Sequence, residues 1–241
     1  MNFLSKILDI LLPAKCLLCG GLHDKGMENI CLTCMDKIPF IKEPSCAKCG
    51  IPFEILYSIE DNPDYLCGRC RAAPPLFDRA LSACRYDDTV REIVSAYKYQ
   101  NKPYIGKDLI SIVFRFLKDK IAELSPELIV PVPLHIKRLK ERGYDQSYIL
   151  AEGVGRELNI PVSYKNLTRI RYTTPQVELS GNERLKNVKG AFSIKDEFEI
   201  KGKGILLIDD VFTTGATIRE CVKVIRGAGA DKVYVLTVAR A

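Results

Sequence analysis

No stretch of this 241-residue chain carries the roughly 18 consecutive apolar residues that a bilayer-spanning helix needs, so no membrane insertion is expected. There is no low-complexity tract and no repeat of solenoid period, which excludes a disordered linker and a repeat array. Nor is an export signal expected. The apolar stretch of MNFLSKILDILLPAKC is broken by Lys6 and Asp9, and Lys15 stands before Cys16 where a lipoprotein signal needs a small residue. That stretch reads as a short amphipathic helix with Phe3, Leu4, Ile7, Leu8 and Leu11 on one side, stopped at Pro13. The expected location is cytoplasmic, with reduced thiols. Finally, there is no GxxxxGK[ST] loop: Gly106–Lys107–Asp108 lacks the hydroxyl residue, and Asn101 stands where the upstream glycine belongs.

Cysteine, by contrast, is plentiful. Eight of the ten cysteines form four CxxC pairs, Cys16/Cys19, Cys31/Cys34, Cys46/Cys49 and Cys67/Cys70. Gaps of 11 and 17 residues separate the members of each sequential couple. A CxxC turn points two thiolates at one ion, and Gly20 and Gly50, just after the second cysteine, let the backbone fold back. Two such knuckles complete a tetrahedral S4 site. One CxxC could be a redox motif, but four in tandem point to two zinc ions, and the missing export signal argues against a disulfide framework. Sequential pairing is preferred over a cross-brace; His23 is a substitute ligand or a solvated loop residue. With four sulfurs and no open position, such sites are structural. Residues 1–75 hold too few other apolar residues for a large core, so metal binding, on the order of 10–16 kcal/mol per site, has to supply their folding energy. Cys84 and Cys221 stand alone and read as core residues.

The metal changes the charge argument. Residues 1–75 carry 8 Lys/Arg and 9 Asp/Glu, and the remainder 28 and 21. Eight thiolates around two Zn²⁺ take the formal +6 to about +2. A global basic-protein argument for nucleic acid therefore fails, while the C-terminal part keeps a local +7.

The Pro74–Pro75 pair marks a boundary between an N-terminal module, 1–75, and a second domain, 76–241. In the second domain, 80–86 reads as a strand and 87–100 as a helix capped by Asp87 or Asp88. A helix over 106–123, a strand over 127–133 and a helix over 146–158 follow. The polar stretch 165–189 has no clear periodicity. ILLID, 215–227 and 232–239 read as strand, helix and strand. Apolar strands alternating with helices predict an α/β fold, a parallel sheet covered on both faces, with ligands at the strands' carboxyl ends.

At one such end stands ILLIDDVFTTGAT, 205–217. Thr213, Thr214, Gly215, Ala216 and Thr217 would present backbone N–H groups at a helix start, a seat for one phosphate. Asp209 and Asp210 would repel that phosphate, so they need a hydrogen-bond donor or a cation, such as a ribose diol or Mg²⁺. Phosphoribosyl pyrophosphate (PRPP) carries both features. The rivals are a Walker B strand, which lacks its partner loop, and a strand end with solvated aspartates.

ILLIDDVFTTGAT resembles the PRPP fingerprint of the type I phosphoribosyltransferases. Together with the cysteine module, PVPLHIKRLKERGYDQS (131–147) and RIRYTTPQVELSGNERLKNVKGAF (169–192), nearly the whole chain is similar to the ComF family of competence-associated proteins. The resemblance implies a zinc-ribbon module before a phosphoribosyltransferase-like sheet. It makes Asp209, Asp210, Val211, Phe212 and the 213–217 turn the PRPP site, with the two aspartates as its catalytic pair. It also implies a pyrophosphate loop over 133–142, with His135, Lys137, Arg138, Lys140 and Arg142. A flexible loop over 169–189 would carry Arg171, Thr174, Gln176 and Arg184. The family's usual Asn is Asp145 here. Asp145 is read as a helix cap in preference to a group facing phosphate.

The implied function is PRPP binding linked to DNA uptake, handling single-stranded DNA, with the uptake machinery as partner. Tyr144 and Tyr172 would serve as stacking platforms or pack against the sheet. The alternative is an active phosphoribosyltransferase of nucleotide or amine metabolism with no DNA role. No residue reads as a general base, and no segment reads as an acceptor-binding hood.

Overall fold

The computed structural model describes residues 15–22, 29–53, 65–173 and 181–241. The expected N-terminal helix and His23 lie outside the described residues.

Two short helices, α1 (Leu32–Met35) and α2 (Gly68–Ala72), belong to the cysteine module. The sheet domain runs β1 (Arg79–Arg85), α3 (Asp88–Tyr99), α4 (Ile105–Glu123), β2 (Leu128–Pro131), α5 (Ile136–Arg142), α6 (Gln146–Leu158) and β3 (Leu167–Arg169). It continues through α7 (Gly181–Val188), β4 (Phe192–Ile194), β5 (Gly204–Phe212), α8 (Ala216–Gly227) and β6 (Lys232–Arg240).

Strands β1, β6, β5 and β2 pair in that order, all parallel. This is the expected α/β arrangement. Both faces are covered, which is why β5 and β6 read as continuous apolar runs. On one face Leu206, Ile208 and Leu236 pack against Ile93 of α3, Leu109 and Ile112 of α4, and Leu150 and Val154 of α6. On the other, Ile205, Leu207 and Val235 meet Ile218, Val222 and Ile225 of α8 and Phe192 of β4. Cys84 and Cys221 are fully buried in these cores, as expected of them.

Helix ends follow their local chemistry. The Asp87 carboxylate accepts from the Val90 amide (2.8 Å), a side-chain N-cap that starts α3. α5 stops at Gly143 with φ +81°, a left-handed turn open to glycine. Two expectations are corrected. The segment 133–142 is largely the short helix α5 and not a loop. The stretch 165–189, which shows no period, contributes β3 and α7. β3 pairs antiparallel with β4 (Leu167 opposite Ile194), a tertiary pairing of three-residue strands that leaves no periodic signal.

The cysteine module is seated on the sheet. Ile41 N–H donates to the Ala83 carbonyl (3.0 Å) and Arg85 N–H to the Pro39 carbonyl (2.8 Å), so the segment around Phe40 covers the exposed edge of β1. The Asn29 amide and side chain both donate to the buried Asp108 carboxylate of α4, at 2.9 and 2.7 Å. Cys16, Ile30, Cys34, Met35 and Ile38 share the core of α4. Cys46, Cys49 and Cys70, from the third and fourth CxxC pairs, share the opposite core with Phe77 and Phe212. A module with few apolar residues of its own thus borrows two existing cores.

Candidate functional site

The eight cysteines gather into two clusters, Cys16/Cys19/Cys31/Cys34 and Cys46/Cys49/Cys67/Cys70, the sequential pairing the sequence favoured. In each, the four sulfurs lie within 4.8 Å of one another. Zn–S bonds of about 2.3 Å in a tetrahedron separate the sulfurs by about 3.8 Å. Cys19 and Cys31 sulfurs are 3.8 Å apart, and those of Cys49 and Cys67 3.7 Å. A disulfide would need about 2.05 Å. The Cys31 amide points at Cys16 Sγ (3.4 Å) and the Cys67 amide at Cys46 Sγ (3.3 Å), donors suited to thiolates. Gly20 and Gly50 take positive φ, +68° and +65°, as the knuckle turns require. Burial works against ionising Cys16 and Cys46, but backbone N–H groups bring them down to about 6 and about 7. Burial and the neighbouring sulfurs push Cys34 up to about 12. Four crowded thiols cannot all ionise alone; a dication at their centre removes that conflict, and these residues fit zinc.

The second candidate site lies where β2 and β5 end. A cleft of about 720 Å³ is lined by Asp209, Asp210, Val211, Thr213 and Thr217 from β5 and the turn after it. Arg138 and Arg142 of α5, Arg169 of β3 and Lys98 of α3 line it too. The turn places Gly215 at φ +76° as the N-cap of α8. A Cβ there would come within 2.5 Å of the Phe212 ring, so glycine is required twice over. Phe212 itself points away from the cleft into the core, edge-on to Phe77. Thr214, Gly215 and Ala216 build the turn without lining the cleft.

Asp210 meets Lys98 Nζ at 2.7 Å. Burial alone would lower the lysine's pKa; Asp210 beside it wins and raises it. Asp209 accepts from Ser147 Oγ (3.1 Å) and from the Asp210 amide (2.9 Å). Burial and then the Asp210 charge push its carboxyl up to about 7. The protein's own lysine and serine therefore answer part of the demand for a cation and a donor that the acid pair raises. Two residues of the lining, Gln146 and Arg169, each carry a buried nitrogen, Nε2 and Nε, with no hydrogen-bond partner among the described residues.

The remaining expected residues fall as follows. His135 is the N-cap of α5, its Nδ1 accepting from the Lys137 amide (3.3 Å). His135, Lys137 and Arg138 gather around the exposed Tyr172 ring, and Arg138 donates to the Thr173 carbonyl (3.2 Å). His135, Lys137 and Lys140 do not line this cleft. Arg171 turns to the carbonyls of Asn187 (2.9 Å) and Lys189 (2.7 Å), closing the chain end of α7. Thr174 and Gln176 lie outside the described residues, as does the side chain of Arg184. Tyr144 packs on Tyr97 and donates its hydroxyl to the Tyr97 carbonyl.

Sequence reasoning missed Lys98, Ser147 and Arg169. A signal for the first existed: Arg91, Val94, Ser95 and Lys98 recur at helical spacing, one stripe of α3 along the cleft.

Asp145 caps α6, accepting from the Tyr148 amide (3.1 Å). Burial raises its pKa, while amides lower it. Asparagine accepts the same bond without the buried charge. Asp145→Asn should therefore leave unfolding free energy within about 0.5 kcal/mol of the parent, and Asp145→Ala should cost about 1 kcal/mol, in urea titrations. Equal losses in both would show that the charge matters and the cap does not.

Among the described residues, no helix is long and apolar enough to cross a membrane. The family model of the double zinc ribbon domain matches residues 7–71, and that of the phosphoribosyl transferase domain matches residues 145–241. Competence protein F of Haemophilus influenzae is 31% identical over 233 residues, which cover 94% of this chain and 97% of that one. The DNA utilization protein YhgH of Escherichia coli K12 is 28% identical over 231 residues, with 95% and 97% covered. Competence protein ComFC of Bacillus subtilis is 28% identical over 198 residues, with 80% and 76% covered. With both halves matched and a relative this similar along its length, the chain belongs to the competence protein F family, a double zinc ribbon joined to a phosphoribosyltransferase domain.

Proposed function

We propose that the cleft binds PRPP and that the protein couples this site to handling single-stranded DNA during DNA uptake. The observation that carries the first half is one cleft lined together by the acid pair, Thr213 and Thr217 of the turn, and three arginines. The 5′-phosphate lodges on the Thr213–Thr217 turn, where α8 begins. The ribose hydroxyls donate to Asp209 and Asp210. The diphosphate lies toward Arg138, Arg142 and Arg169, whose guanidinium groups suit it as charged donors. Mg²⁺, when bound, would neutralise diphosphate charge, and the acid pair is its available ligand set.

The DNA half is supported by the relatives' names and by a second groove of about 610 Å³ that continues from the cleft along Arg138, Lys140 and Arg142. Two exposed rings line it. Tyr99 is 66% exposed with the Arg142 guanidinium 5.3 Å from its centre; Tyr172 is 45% exposed with Lys137 at 5.2 Å. Cations beside open aromatic faces suit phosphates and unstacked bases. Tyr144, whose ring and hydroxyl are engaged, is not part of this reading.

Calorimetry with Mg²⁺–PRPP and anisotropy of labelled single-stranded DNA across a salt series test the two halves. Tyr99→Ala and Tyr172→Ala should each weaken DNA binding by about 1–3 kcal/mol. Arg142→Gln should flatten the salt dependence by about 0.7 in log–log slope. DNA affinity untouched by all three variants sinks the groove. Pyrophosphate release with a base or amine, and no DNA affinity, would establish the alternative, a phosphoribosyltransferase without a DNA role.

A further inference from the structure

The cleft and the groove are not separate sites. Four residues line both: Lys98 and Tyr99 at the end of α3, and Arg138 and Arg142 of α5. Other cations belong to one cavity only. Arg169 lines the cleft and not the groove, and Lys140 the groove and not the cleft. The shared arginines stand four residues apart on α5, so they project from one face of that helix. Each also lies beside an aromatic ring of the groove. The Arg142 guanidinium is 5.3 Å from the centre of the Tyr99 ring, and that of Arg138 is 5.9 Å from the centre of Tyr172.

The positive charge that the two cavities share is small and mostly uncommitted. Lys98 is already matched by Asp210 at 2.7 Å. Arg138 donates to the Thr173 carbonyl (3.2 Å), a neutral acceptor that leaves its charge unmet. Among the described residues no carboxylate pairs with Arg138 or Arg142. These two guanidinium groups are therefore the free cations that both cavities offer to a polyanion. A guanidinium that has closed its fork on one phosphate has delivered most of its directed donors. A second polyanion then meets a neutralised pair and the remaining negative charge of the first. At about 0.1 M salt screening extends over roughly 10 Å, and two ligands on one side chain lie well inside that distance.

We propose that the diphosphate of PRPP and the backbone of single-stranded DNA compete for Arg138 and Arg142, so that PRPP releases DNA and DNA excludes PRPP. This rests on the reading of cleft and groove given above and adds the coupling between them. The competition is confined to the diphosphate end of the ligand. The ribose and its 5′-phosphate, on the acid pair and the 213–217 turn, take no part in it.

The test uses the full-length, zinc-loaded protein and anisotropy of labelled oligothymidylate at constant ionic strength. Mg²⁺–PRPP, inorganic pyrophosphate or ribose 5-phosphate is added. Saturating PRPP should raise the Kd for DNA by about tenfold or more, and by reciprocity saturating oligothymidylate should weaken PRPP by the same factor in calorimetry. Pyrophosphate, which carries only the competing end, should also displace DNA. Ribose 5-phosphate, which lacks that end, should leave the Kd for DNA within about twofold. Arg142→Gln should weaken both ligands by about tenfold, because each loses a charged hydrogen-bond donor. A protein that holds both ligands together at their separate affinities overturns the proposal and leaves the two binding sites standing. Tighter DNA binding in the presence of PRPP overturns it too, as do equal displacement by ribose 5-phosphate and an Arg142→Gln variant that loses one ligand only. If PRPP or DNA does not bind by itself, the reading of that site falls, and the competition falls with it.

Discussion

Replacing Asp209 and Asp210 together by asparagine should lower PRPP affinity by at least about 100-fold, since two charge-assisted hydrogen bonds to the ribose are removed at about 1.5–3 kcal/mol each. Calorimetry that finds parental affinity in this variant ends the assignment of the diol. The single changes should part company in the ligand-free protein. Asp210→Asn leaves the Lys98 ammonium, 22% exposed, without its partner and should cost about 3 kcal/mol; the further change Lys98→Met should recover most of it.

Asp209→Asn should do the opposite, with a pH dependence whose sign follows from linkage. The folded-state carboxyl titrates at about 7 and its ordinary value is 3.8. Between those values the folded protein keeps a proton that the unfolded chain has lost. Stability conferred by the protonated carboxyl is therefore lost as pH rises from about 4 to about 7, and the penalty is complete above that. The gain in Tm on Asp209→Asn should be near zero at pH 4 and grow to several degrees at pH 8. A pH-independent difference would mean that Asp209 is not held as a strained carboxylate. For the parent, affinity for PRPP should rise from pH 6 to pH 8, because the ionised carboxyl is the better acceptor for the hydroxyls.

The second large effect concerns the metal. Stripping both ions from the full-length protein should unfold more than the cysteine module. Structural zinc contributes on the order of 10–16 kcal/mol per site, so two sites together exceed the usual 5–15 kcal/mol or so of a whole domain. Cys16, Ile30, Cys34, Met35 and Ile38 complete the core over α4, and the segment around Phe40 covers the β1 edge. The sheet should therefore lose protection too, with Tm falling by tens of degrees and a new exposed apolar surface binding a hydrophobic dye. The parent should carry two zinc ions per chain by mass spectrometry under native conditions, and Cys31→Ser one. A stripped protein that melts at the parental temperature would show that the clusters do not hold the fold.

These experiments bear on features that differ in how visible they are along the chain. The cysteine pairs, the acid pair before the threonine–glycine turn and the Asp87 and Asp145 caps all act over a few residues. Their spacing carries their chemistry. The helices 88–99, 105–123 and 146–158 are long and amphipathic, so their period shows. β3 and β4 escaped because short strands are stabilised only by the partner they find. Lys98 escaped because its meaning depends on Asp210, 112 positions away, and its helix reads as ordinary without it.

The sequence alone determined the two S4 clusters, the parallel α/β sheet and the threonine–glycine turn after β5, because each is written in local patterns of ligand spacing, hydrophobic period and glycine placement. The tertiary structure alone decided that Lys98 and Ser147 attend the acid pair and that α5 and β3 bring their arginines to the same cleft. Those are meetings of residues distant in the chain. They arise from the order in which strands assemble and from the need to match each buried charge with another, and no short-range pattern encodes either.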